Sequence, residues 1–207
     1  MTPPAPLDNK SVARAMFMAT HLVNTFLLLA ALTLTARFAS GGAPFRLRGL
    51  LGGGFVLAAG GLLVSGVSGA VAALGDTLFP ATSLAHALAQ DLSPAAHLLI
   101  RLRIFHPAIA VAVAVIVLAI SLKLLQTRAE PETSRFALWT SGLVLLQVLA
   151  GAVNVLLLAP IWLQVVHLLL ADMVWISFVL LGASALPAAE VAAGKPYLKL
   201  PPRPLPS

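Results

Sequence analysis

Five apolar stretches, each long enough to cross a lipid bilayer, follow one another through this chain: Met16 to Ala36, Gly52 to Leu74, Ile104 to Leu125, Ala137 to Leu158, and Trp162 to Ala185. A hydrocarbon core of about 30 Å takes about 20 apolar helical residues to span. Inside lipid every backbone N–H and C=O must find a partner within the protein, so runs of this length are read as helices. Each run closes on a helix-ending or polar signal: Ser40, Gly41 and Gly42; Gly75, Asp76 and Pro80; Thr127 to Ser134 around Pro131; Pro160; and Pro187. The expected fold class is all-α, a polytopic membrane bundle of about five transmembrane helices.

Composition agrees with a lipid solvent. With 59% hydrophobic and 10% charged residues, the chain has too few polar groups to clothe a soluble domain. Its net charge of +6 does not point to nucleic acid, because Lys and Arg are scattered through short connections and form no single basic face. Cysteine is absent, which excludes disulfides, thiolate metal sites and cysteine nucleophiles, so any redox chemistry needs a bound cofactor. Met1 to Lys10 is polar and Pro-rich, and the apolar run after it is too long for a signal peptide and lacks a clear cleavage site. The first span is therefore expected to remain in the mature protein.

Cytoplasmic loops are enriched in Lys and Arg. Lys10, Arg14, Arg101 and Arg103 fall on one side, whereas Arg37, Arg46, Arg48, Lys123, Arg128, Arg135, Lys195, Lys199 and Arg203 fall on the other. The N-terminus is accordingly expected outside and the C-terminus inside. Residues 1–15 read as a polar tail, 16–186 as the membrane domain with an outer loop at 75–103, and 187–207 as a Pro-rich cytoplasmic tail. Within the outer loop, Ser83 to Gln90 reads as a short amphipathic helix, and Ser93 with Pro94 as the cap of the helix entering the third span.

Ionisable groups inside membrane helices usually face a bundle interior or a cavity. His21, His106 and His167 lie in the first, third and fifth spans, near their N-terminal ends, and alternate helices run the same way. All three therefore come out near the outer surface. Singly, each also suits an interfacial or hydrogen-bonded structural role; their common depth favours ligation. Haem suits them better than zinc, because Arg101 and Arg103 at the outer edge of the third helix are placed to meet propionates, interfacial anchoring being the alternative for each arginine. Gln147, Gly151 and Asn154 share one stripe of the fourth span, against which a flat ligand or a neighbouring helix would lie. In the second span Gly61, Ser65, Gly69 and Ala73 form a small-residue stripe, read as close helix packing. Asp172 is offset from His167 by about 140° around its helix, so it does not simply orient that histidine. Proton handling and structural pairing both suit it. Asp76 reads as a turn or helix-end residue.

Several separated segments then resemble one family. GVSGAVAALGDTLFPA from Gly66 to Ala81, RLRIFHP from Arg101 to Pro107, and QVLAGAVNVLLLAPIWLQVVHLLLADMVWI from Gln147 to Ile176 look like heme A synthase, and HLVNTFLLL from His21 to Leu29 resembles a span near the middle of that family. The resemblance runs from His21 to Ala185. It implies an eight-helix, two-halved membrane enzyme that oxidises a methyl group of heme O to the formyl group of heme A. By resemblance, His106 and His167 take the places of the axial ligands of a b-type haem (heme b), and His21 that of a histidine near the substrate haem. Helices one to three of the family plan, an outer-loop glutamate and the partner histidine of His21 have no counterpart in the sequence. His86, His97, or a second chain in a homo-oligomer or hetero-complex are the candidates to complete that half, against plain solvated loop histidines.

Three function classes follow: a heme A synthase-like oxidoreductase in the cell membrane of a bacterium or archaeon, needing an electron donor; a non-catalytic b-type cytochrome or haem-binding subunit for oxidase assembly; and a structural membrane protein. An absorption spectrum of the purified chain separates the third from the others.

Overall fold

The computed structural model describes residues 9–93, 98–127 and 129–188, the side chains at 9–11, 98, 101 and 102 excepted. Six helices are present among these residues: α1 (Asn9–Ala39), α2 (Gly49–Leu78), α3 (Leu84–Leu92), α4 (Leu98–Gln126), α5 (Pro131–Leu156) and α6 (Ile161–Ala185). All but α3 are long and apolar enough to cross a membrane. The protein is an integral membrane protein, as the five apolar runs require.

The helices overrun the apolar stretches that announce them, because a helix ends at a breaker and not at the edge of hydrocarbon. Thus α1 reaches back to Asn9, into the segment expected as a tail, and α2 continues to Leu78, so Asp76 lies in its last turn. Helix α4 contains both Arg101 and Arg103, and carries Pro107 in its interior. Proline has no N–H to give to the carbonyl four residues back, which weakens the helix ladder beside His106. Ser83 caps α3 by accepting from the His86 N–H, and Ser93 closes the same helix. The expected capping role of Ser93 with Pro94 for the next helix falls on residues 94–97, outside the described residues, as does nearly all of the C-terminal tail. The α5–α6 connection is tight: Leu158 and Ala159 both take positive φ, 58° and 54°, before Pro160 opens α6.

Helices α2, α4, α5 and α6 pack in a ring in which α4 touches α2 and α5, and α6 touches α5 and α2. Helices α4 and α6 thereby face each other across the bundle. Their shared core contains Phe55, Ala58, Val113, Val117, Ala137, Val144, Val174, Phe178 and Leu181. Gly61 of the small-residue stripe lets α2 approach Val113 of α4, since an added Cβ would come within 3.0 Å of its Cγ2. Buried Thr140 donates to the Ser177 hydroxyl at 3.2 Å, tying α5 to α6. Helix α1 lies outside this ring against α2 and α6. Its main tie is Trp175, whose indole N–H donates to the Phe26 carbonyl at 2.7 Å while the two rings stack at 5.2 Å.

One end of the bundle is closed by the α1–α2 loop, where Arg46 donates to Leu186 and Ala188 to Pro44, and by an ion pair of Arg37 with Glu132. The other end carries α3. Arg103, whose side chain is 10% exposed, gathers this end together: it donates to Asp91 at 2.7 Å, Asp76 at 2.8 Å and Gln90 at 3.3 Å. It thus pins α3 onto α2 and α4.

Candidate functional site

Counted back from Ala39, Gln126 and Ala185, where three parallel helices end on one face, His21, His106 and His167 lie about 27–30 Å along their helices. Depth is thus shared by all three, but direction is not. His106 and His167 are partly buried on helices that face each other across the bundle, whereas His21 is exposed on α1.

Each buried imidazole sits over a glycine of the preceding long helix of the bundle. The Cε1 of His106 would be 3.0 Å from a Cβ added at Gly69 of α2, and Nε2 3.3 Å from it. The Cε1 of His167 would be 3.1 Å from one added at Gly151 of α5. A side chain at either position would press on the ring, which would have to give by a few tenths of an ångström. The stripe read as helix packing therefore has a second use, with Gly61 on a valine and Gly69 on a histidine. Gly151 of the α5 stripe lies against the His167 ring of the neighbouring helix.

The hydrogen bonds of the two rings differ. His106 Nδ1 meets the Ser68 hydroxyl at 3.0 Å. His167 Nε2 meets the Gln147 side-chain amide at 3.3 Å, leaving Nδ1 without a partner. Gln147 Oε1, Asn154 Oδ1 and Asp172 Oδ1 are also buried without partners. Buried polar atoms are normally hydrogen-bonded, and unsatisfied ones call for a ligand, water or ion. Two imidazoles on facing helices, each over a glycine, and the unsatisfied amide oxygens of Gln147 and Asn154 on α5 are the residues that could hold a flat ligand. Among the described residues no group of three or more His, Asp or Glu is placed to hold a bare metal ion.

The remaining expected residues are distributed differently. Arg103, expected to face an anionic group of a ligand, meets two carboxylates of the protein itself, because α3 folds back over the helix ends. The Arg101 side chain and His97 lie outside the described residues. His86 is bonded locally to Thr82 and Gln90. Ser68 is the site residue that sequence reasoning passed over. Its signal is the run Ser65, Gly66, Val67, Ser68, Gly69, in which two hydroxyls and two glycines fall within little more than one helical turn.

Comparison with known proteins places the chain. It is 50% identical over 181 residues to a protein named protoheme IX farnesyltransferase from one strain of Thermus thermophilus, and 49% identical over 181 residues to the protein of the same name from a second strain of that species. Each alignment covers 86% of this chain but 30% of the relative, so the chain spans under a third of the length of these curated proteins. No solved structure matches it. The family profile described as cytochrome oxidase assembly protein, COX15-CtaA, matches residues 5–179. The chain belongs to that family of cytochrome oxidase assembly proteins.

Proposed function

We propose that this protein binds a b-type haem through His106 and His167 and serves heme A synthesis, in which the methyl group of the substrate heme O is oxidised to a formyl group. The observation that carries this reading is a pair of partly buried imidazoles on facing helices, each seated on a glycine. A haem held by His106 and His167 would supply one-electron transfer, with electrons from an external donor.

The work left to the protein is binding and orientation. Gly69 and Gly151 keep the space beside each ring free, and Gln147 and Asn154 offer amides whose oxygens lack partners. Arg101 is the candidate for propionate contact, while Arg103 sets the position of α3 and the outer ends of α2 and α4. Asp172, buried in part and unpartnered, is a candidate for proton handling or for pairing with a group of a neighbouring chain. Exposed on α1, His21 belongs to a substrate haem site completed by a second chain or a second copy.

The relatives are named for farnesyl transfer to protoheme, the step that would make heme O. We assign that activity to the two thirds of their length that this chain does not match. The seven acidic residues here are dispersed over the chain, whereas diphosphate chemistry calls for carboxylates gathered around Mg²⁺. A second reading, a haem-binding subunit without catalysis, is favoured by the exposure of His21. We place the protein in the cell membrane of a prokaryote.

Absorption spectra test the core of the proposal. The purified chain is expected to show a low-spin bis-histidine haem spectrum that disappears in His106→Ala and in His167→Ala; a wild-type protein without haem absorbance overturns it. Extraction of haems after co-expression with a source of heme O separates the two readings, since only the first yields heme A.

A further inference from the structure

The two imidazoles are not equivalent, and the difference lies in α2. Ser68 Oγ donates its single proton to the Ser65 carbonyl at 2.8 Å, a bond within its own helix. The same oxygen stands 3.0 Å from His106 Nδ1. With its proton on the Ser65 carbonyl, the nearer of its two partners, the hydroxyl meets that nitrogen through a lone pair, and an N–H at Nδ1 completes the contact.

We infer that Ser68 is a positioning residue that holds His106 as the Nδ1–H tautomer, so that Nε2 carries the free lone pair. Gly69, the next residue along the helix, seats the ring at the same level. One short stretch of α2 thus sets both the position and the protonation pattern of a histidine on α4. His167 has no such acceptor: its Nδ1 is unpartnered and its Nε2 meets an amide that can rotate to donate or accept. This inference rests on the proposed haem site for its functional meaning, though the tautomer is a property of the protein alone. A ligand imidazole whose other nitrogen donates a hydrogen bond is a stronger electron donor to its metal. Ser68 therefore stabilises the oxidised iron and lowers the reduction potential.

Two measurements on the full chain in lipid bilayers test this. In the haem-free protein labelled with ¹⁵N-histidine, solid-state NMR is expected to show His106, assigned by the signal lost in His106→Gln, protonated at Nδ1 and not at Nε2. Ser68→Thr keeps that pattern, and Ser68→Ala brings in the Nε2–H tautomer at comparable population. In the haem-loaded protein, redox titration is expected to show a higher midpoint potential for Ser68→Ala, a near wild-type value for Ser68→Thr, and no change for Ser141→Ala, whose hydroxyl bonds only within α5. An Nε2–H tautomer in the wild type, or a Ser68→Ala variant that matches the wild type in tautomer or in potential, overturns the inference. Should no variant load haem, the proposed function falls while the NMR arm still decides the role of Ser68.

Discussion

Glycine in a membrane helix usually signals close packing, and the same residue type has three different surroundings along α2. An added Cβ at Gly60 meets open space, at Gly61 a valine, and at Gly69 an imidazole. Substitution separates these cases. Gly69→Ala and Gly151→Ala are each expected to lower haem retention about 10-fold, the usual scale for disturbing the groups that orient a metal ligand. Gly60→Ala leaves retention unchanged. Haem content per protein, measured on purified variants, checks this; equal retention in all three would mean that the imidazoles do not need their seats. Ser68 shows why such a site is hard to find from the chain alone. A serine in a membrane helix commonly bonds to its own backbone, as Ser141 does, and nothing in the local sequence says which serine also meets a side chain of another helix.

Helix α3 is the one short helix among the described residues, and its attachment is ionic where the rest of the protein is apolar. Arg103 is nearly buried between Asp76 and Asp91, and loss of its guanidinium leaves two carboxylates without their cation. Arg103→Gln is expected to reduce the free energy that holds α3 down by about 2 kcal/mol, which is about 30-fold faster local exchange. Hydrogen–deuterium exchange over Leu84–Leu92 measures it, and unchanged exchange would show that apolar contacts hold α3 without the ion pairs. The existence of this helix was legible in its amphipathic pattern and in Ser83, which does cap it. The partners of Arg103 were not, because Asp76 and Asp91 lie 27 and 12 residues away in sequence and meet it only after two chain reversals.

At the scale of the whole molecule, four helices form the ring that holds the proposed haem site and α1 lies outside it, held by Trp175 and Phe26 and leaving His21 exposed. Basic residues concentrate at the end formed by the α1–α2 and α4–α5 connections, which sets the expected orientation with that end in the cytoplasm. Lack of native cysteine makes the test clean. Leu88→Cys on α3 is expected to react with an impermeant maleimide added outside intact cells, and Arg46→Cys only after permeabilisation. The opposite pattern would invert the topology.

Length and apolarity of each run are local properties, and in lipid they suffice to decide that a segment is a helix and that it spans, so the five spans and the shared depth of His21, His106 and His167 could be read from the chain itself. Rotation of each helix about its own axis is a different matter. Lipid tails are as apolar as leucine, so hydropathy does not say which face turns inward, and packing and hydrogen bonds between distant residues decide it. That is how Phe26, Trp175, Ser68 and Gly69 came to matter: tertiary contacts set two of the three histidines over glycines of neighbouring helices, left the third exposed, and gave Arg103 to the protein's own carboxylates.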